Sequence, residues 1–217
     1  GSDFTGSKSW TGLPAGAEEV LKTLESRPTF LMVGTLEPRK GHAQTLDAFE
    51  ALWARGVDVN LAIVGKEGWL VDDLVRRLRH HKERGRRLFW LEGVSDEYLE
   101  RTYAASVCLI AASRGEGFGL PLIEAAQYRL PIVARDIPVF REVAGDHAYF
   151  FSAADGAELA TALEAWLALY REGRHPTSGA MPRLTWEETA GRLVKSIVED
   201  DYLIELRQPK PEVVPGP

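Results

Sequence analysis

Two carboxylates, Glu116 and Glu124, stand eight positions apart in the stretch SRGEGFGLPLIEAA, residues 113–126, with Gly117, Phe118, Gly119, Leu120 and Pro121 between them. Glycines let main-chain amides approach a ligand closely, and a proline at the start of a helix gives up only an N–H the helix does not use. The amides of this turn and the positive end of the helix dipole then face one point, an arrangement that attracts anions, phosphate first among them. Carboxylates accept paired hydrogen bonds from vicinal hydroxyls. Glu116, ahead of the helix, can point into a cleft, and Glu124 follows about one turn inside. A phosphate flanked by two hydroxylated rings suits the set, which describes a sugar nucleotide.

Two further loops have unusual composition. VGTLEPRKGH, residues 33–42, offers Gly34 and Gly41 for close backbone approach and Arg39 with Lys40 as adjacent cations; VGKEGW, residues 64–69, reads as a tight turn. Neither these nor the opening stretch matches the Walker pattern or the dinucleotide fingerprint, and Ser113 lacks the frame of a hydrolase elbow. Phe118 reads equally as a packing anchor and as a sugar-stacking group, and Trp69 reads as packing. The basic run RRLRHHKERGRR reads as the charged outer face of a helix, since no aromatic residues interleave it. His80 and His81 are adjacent and would diverge on a helix, so they suggest no shared metal.

The elements that must position these residues are legible as an alternation. From Pro28 onward, short apolar runs (TFLMV, VNLAIV, RLFWL, SVCLIAA, PIVA and AYFF) alternate with amphipathic stretches. Residues 42–55, DDLVRRLRHHKERG, DEYLERTYAA and DGAELATALEAWLALYREG read as the helices between or after them. Near-continuous apolar strands imply a sheet covered on both faces, so the expected fold is α/β: one Rossmann-like, doubly wound parallel sheet of about six strands with extra C-terminal helices. In such sheets ligands bind beyond the carboxyl ends of the strands, where all three loops fall. TWEETAGRLVKSIVEDDYLIEL reads as a last helix, with Thr185 and Glu188 as a capping box, and the proline-rich end as a tail or linker.

Composition sets bounds on function. With 217 residues and 45% hydrophobic content, one sizeable core is expected. A net charge of −6 argues against a nucleic-acid partner. The single cysteine, Cys108, sits in an apolar strand and reads as core, and no apolar run reaches the roughly 20 residues of a membrane span.

Together, VGTLEPRKG, AIVGKEGW and SRGEGFGLPLIEAA…LPIVARDIPVFREVAGDHA resemble the C-terminal, donor-binding half of retaining family-4 glycosyltransferases of the GT-B fold, most like bacterial mannosyltransferases. The most specific element is E-x7-E in its EGFGLPLxE context. The resemblance implies that Glu116 contacts donor-sugar hydroxyls and Glu124 the ribose. Gly117, Phe118, Gly119 and Leu120 would give backbone amides to sugar and diphosphate. Arg39 and Lys40 would neutralise the leaving nucleoside diphosphate, with Gly34 and Thr35 beside them, and Gly93 and Val94 would hold the base. It implies catalytic roles for Glu116, Lys40 and Arg39, no metal and no cofactor, with the nucleoside diphosphate sugar as donor substrate and GDP-mannose the guess. The acceptor would be a glycan or lipid-linked, in polysaccharide assembly.

The resemblance also implies an N-terminal acceptor-binding half that this chain lacks, through which any peripheral membrane association would run, and a cytoplasmic location extending to the inner face of the cytoplasmic membrane. The expected organisation is a linker remnant at 1–27, the donor-binding domain at 28–198 and a helix end with a tail at 199–217. GT-B epimerases and phosphorylases, and a non-catalytic sugar-nucleotide-binding or scaffolding module, are the alternative readings. Two positions depart from the family pattern: Thr35 stands where arginine is common, and Arg129 stands where glycine tends to end the E-x7-E helix.

Overall fold

The computed structural model describes residues 12–181. Six strands, β1 (Thr29–Val33), β2 (Asn60–Val64), β3 (Leu88–Leu91), β4 (Cys108–Ala111), β5 (Ile132–Arg135) and β6 (Tyr149–Phe151), form one all-parallel sheet in the order β3-β2-β1-β4-β5-β6. Each apolar run of the sequence contributes one strand, with boundaries within two residues of the run. The expected α/β fold is the observed one.

Period-two alternation explains how one sheet makes two cores. Phe30 and Met32 of β1, with Leu61, Ile63, Cys108, Ile110 and Val133, point to one face and pack with α2 (His42–Ala54), α3 (Asp72–His80) and α7 (Gly156–Arg171). Leu31, Ala62, Leu109, Ile132 and Ala134 point to the other and pack with α1 (Ala17–Glu25), α4 (Asp96–Ala104), α5 (Leu120–Gln127) and α6 (Pro138–Ala144). On the first face, Phe30 meets Phe49 and Trp166 edge-on, with ring centroids 5.6 and 5.3 Å apart. Cys108 is fully buried, as its apolar surroundings in the sequence suggest.

The strand order reverses between β1 and β4, so the helices after these two strands leave on opposite faces of the sheet. The boundary between β1 and β4 is therefore the topological switch point, the place beyond the strand ends at which such sheets bind ligands. Arg39 and Lys40 follow β1, and Glu116 follows β4.

Two expectations need correction. The helix expected over DDLVRRLRHHKERG stops at His80, because His81 turns into an extended conformation (ψ 137°) and the Glu83 carbonyl accepts from the amides of Arg86, Arg87 and Leu88. The arginines of the basic run RRLRHHKERGRR lie largely against acids: Arg77 reaches Asp47 and Glu50, Arg79 reaches Glu67 and Arg87 reaches Glu83. Trp69, expected to pack, is 57% exposed, in a loop where Leu70 takes a positive φ of 53°. Arg129 does occupy the left-handed position after α5, with φ 55°. The last helix with its capping box and the proline-rich tail lie outside the described residues.

Helix α4 starts on Ser95, whose hydroxyl accepts from the Tyr98 amide at 3.1 Å and donates to the Gly12 carbonyl at 2.7 Å. Ser95→Ala removes both bonds and is expected to cost about 1 kcal/mol, the usual value of an N-cap. A denaturation midpoint that does not move would show the cap to be redundant.

Candidate functional site

The loop after β1 closes as a single 3-10 turn, Pro38–Lys40, and Gly41 then takes a left-handed φ of 76° to open α2. Ala112, at the end of β4, lies so close that a Cβ on Gly41 would stand 2.4 Å from its carbonyl oxygen. Two further contacts join the β1 and β4 loops. The Arg114 amide donates to the Arg39 carbonyl at 2.8 Å, and the Arg39 guanidinium donates to the Gly115 carbonyl at 3.1 Å.

The consequence is a charge cluster. Lys40 Nζ donates to Glu116 Oε2, Arg39 Nη1 stands 3.6 Å from Glu116 Oε1, and the Ser113 hydroxyl donates to Oε2 at 3.2 Å. The Lys40 and Glu116 side chains are only 15% and 12% exposed, so the pair is largely out of water. Burial pushes the Glu116 pKa up, but the Lys40, Arg39 and Ser113 contacts outweigh it and hold the carboxyl below its ordinary value. A depressed carboxylate pKa means that the pair stabilises the fold fully above the ordinary glutamate range, and that this contribution is lost as pH falls through the lowered pKa. His42, the first residue of α2, is buried; burial and the nearby Lys40 push its pKa down to about 4, so it adds no charge at neutral pH.

The turn between the acids lies open to solvent. Gly117 is exposed, Phe118 is 45% exposed and Leu120 is 39% exposed. Gly119, with φ 64°, is the N-cap of α5, and it is buried against Phe140 and Val143. The first amides of α5 therefore follow an exposed turn, four residues after Glu116 in the same β4–α5 loop.

Glu124 belongs to a different local environment. Its Oε2 accepts from the Tyr103 hydroxyl of α4 at 3.2 Å, and the Tyr103 ring stacks on Tyr128 with centroids 4.5 Å apart. The residue as a whole is exposed, but its carboxylate leans on α4, and desolvation there raises its pKa against the opposing effect of the Tyr103 bond. The structure thus joins Arg39, Lys40 and Glu116 directly, and ties Glu124 to Tyr103 instead.

Gly34, with φ 138°, donates its amide to the Val64 carbonyl at 2.9 Å, which locks the β1 and β2 loops together. The Thr35 methyl faces Gly68 of the second loop. Gly93, with φ 59°, and Val94 follow β3, two strands from β1, and Val94 packs in the same layer as α4 and α5.

Three participants were not evident as site residues in the sequence. Ser113 donates to Glu116, Tyr103 holds Glu124, and Arg135, at the end of β5, ties the segments after β4 and β6 to α2 by donating to the carbonyls of Ala112 and Ala153 at 3.0 and 2.9 Å and to the Gln44 side chain. Only Ser113 was within reach of local reading, three residues before Glu116.

Residues 17–178, most of the chain, match the family described as Glycosyl transferases group 1. The chain belongs to the group 1 glycosyltransferases. Among curated members it is 54% identical over 197 residues to the serotype-specific mannosyltransferase WbdA of Escherichia coli, an alignment that covers 91% of this chain and 24% of that relative. The chain thus spans about a quarter of the length of that relative. The fold agrees with solved structures of GT-B glycosyltransferases. The C-terminal domain of the group 1 protein LpcC from Francisella tularensis superposes with a TM-score of 0.59 at 18% identity, over 75% of this chain and 88% of that one. Anabaena HepE, solved in complex with UDP and glucose, gives a TM-score of 0.64 at 17% identity, over 86% of this chain and 52% of that one. No helix among the described residues is long and apolar enough to cross a membrane.

Proposed function

We propose that this chain is the donor-binding domain of a retaining mannosyltransferase that moves mannose from GDP-mannose to a glycan or lipid-linked acceptor. One observation carries the reading: Arg39, Lys40 and Glu116 converge beside the glycine turn at the strand-order switch. Identity to a mannosyltransferase supports the choice of sugar.

Breaking the bond between sugar and phosphate leaves negative charge on the departing diphosphate, and preorganised donors facing that charge lower the barrier. Lys40, Arg39 and the amides from Gly117 to Leu120 take this role. They do what a divalent cation does in other transferases, so the reading requires no metal. Glu116 accepts hydrogen bonds from the donor-sugar hydroxyls and Glu124 from the ribose, while Gly93 and Val94 border the base. Lys40 and Glu116 neutralise each other, so donor binding must divide the pair: phosphate takes the ammonium and sugar hydroxyls take the carboxylate. The acceptor would meet the sugar from a second domain outside this chain.

Titration calorimetry with GDP, UDP and ADP tests this directly. GDP is expected to bind most tightly, and Glu124→Ala to weaken it about tenfold, the equivalent of one charge-assisted hydrogen bond. Failure of all three nucleotides to bind, or equal binding by the variant, would contradict the proposal.

A further inference from the structure

Tyr103 lies outside every motif of the sequence, yet it is the one hydrogen-bond donor that the described residues offer to the Glu124 carboxylate. Its placement leaves the hydroxyl little freedom. The residue is 2% exposed, in the core layer formed with Leu122, Ala125 and Phe140, and Tyr128 stacks on its ring with an interplanar angle of 15°. Tyr103 sits on α4 and Glu124 on α5, so the bond also ties together the two helices flanking the β4 loop.

A glutamate on an exposed helix surface samples several rotamers, and fixing one costs side-chain entropy when a ligand arrives. A bond from a rigid, buried phenol removes part of that cost beforehand. It also leaves acceptor capacity where a diol needs it: Oε1 is unengaged among the described residues, and Oε2, with a second lone pair, can take another donor. Vicinal hydroxyls present two donors at a spacing that matches the two oxygens of one carboxylate.

We propose that Tyr103 is the positioning residue for ribose recognition: its hydroxyl holds the Glu124 carboxylate in the orientation that accepts the 2′- and 3′-hydroxyls of the bound nucleoside diphosphate. The inference rests on the reading of Glu124 as the ribose contact. It assigns the preference for ribo- over deoxyribonucleotides to a pair of residues on two helices rather than to the glutamate alone.

The test compares affinities of GDP and 2′-deoxy-GDP for the chain, for Tyr103→Phe and for Glu124→Gln. The unaltered chain should favour GDP by about tenfold, the effect of one hydrogen bond to a charged acceptor. Glu124→Gln and Tyr103→Phe should each reduce that preference to within about threefold, weakening GDP more than the deoxynucleotide, which offers only its 3′-hydroxyl. A Tyr103→Phe protein that keeps the full preference, while Glu124→Gln loses it, would overturn the role of Tyr103 and leave the ribose contact standing. A chain with no preference at all would overturn both.

A second measurement needs no substitution. On addition of GDP, the Glu124 carboxyl and Tyr103 phenol carbon resonances should shift together and saturate with the same dissociation constant. A Glu124 shift with Tyr103 stationary counts against the coupling, and it would decide the matter if the phenylalanine variant did not fold.

Discussion

Lys40→Ala should weaken GDP binding about 100-fold, the largest loss expected from any one side chain of the site. The ammonium is largely screened from water and held by Glu116, so it is preorganised for a phosphate oxygen. Hydrogen bonds between charged partners are worth about 1.5–3 kcal/mol, and the upper end corresponds to about two powers of ten. Glu116→Gln should act in the opposite sense on the free nucleoside diphosphate. It keeps the shape of the side chain but removes the charge that competes with phosphate for Lys40 and Arg39, so GDP should bind as well or better. Turnover by the longer protein should nevertheless fall by about 10²–10³, the loss typical when one transition-state contact is removed. Parallel loss of GDP affinity in both variants would show the cluster to be a structural ion pair only. The Lys40 variant will also lose stability, because among the described residues Glu116 keeps only Arg39 and Ser113 as partners in a poorly hydrated place.

Gly41→Ala is the second large effect, and it joins the fold to the site. A side chain at φ 76° costs about 1–2 kcal/mol, and the added Cβ would stand 2.4 Å from the Ala112 carbonyl oxygen, a backbone atom that cannot swing away. Overpacking adds about 1–3 kcal/mol. The sum, about 2–5 kcal/mol, is a large part of the stability of an ordinary domain. Relief can come only by separating the β1 loop from β4, which pulls Lys40 away from Glu116, so nucleotide affinity should fall along with stability. Gly56 is the internal control: its φ is 80°, but a Cβ there meets nothing within 4 Å. Gly56→Ala should therefore show the conformational strain alone. Chemical denaturation that gives equal losses for the two variants would show that the approach of Gly41 to Ala112 is not tight.

Strand positions were legible in the sequence because both faces of the sheet are covered, so each strand is a short apolar run with polar residues at its ends. The end of α3 was not, since the charged residues after His80 suit a helix as well as they suit the turn that Glu83 closes. Glu116, Arg39 and Lys40 could be chosen because each sits in a loop whose glycines are anomalous for a simple connection. Their convergence could not be derived locally: it comes from β4 lying beside β1, 76 residues apart for Lys40 and Glu116. Tyr103 and Arg135 were missed for the same reason. Tyr103 reaches Glu124 across 21 residues, and Arg135 reaches Gln44 across 91, with no local pattern to mark either. Trp69 was misread because an aromatic residue in a loop after a buried strand ordinarily packs on it, whereas here the loop lifts it into solvent at a strained Leu70.

The central claim is that the strand-order switch between β1 and β4 binds the diphosphate of a sugar nucleotide, and amide resonances followed during a GDP titration test it most directly. The largest shifts should fall on Lys40, Gly117, Phe118, Gly119 and Leu120, with smaller ones at Glu124 and Gly93. Shifts confined to the basic segment from Arg76 to Arg87, with the glycine turn unmoved, would contradict it.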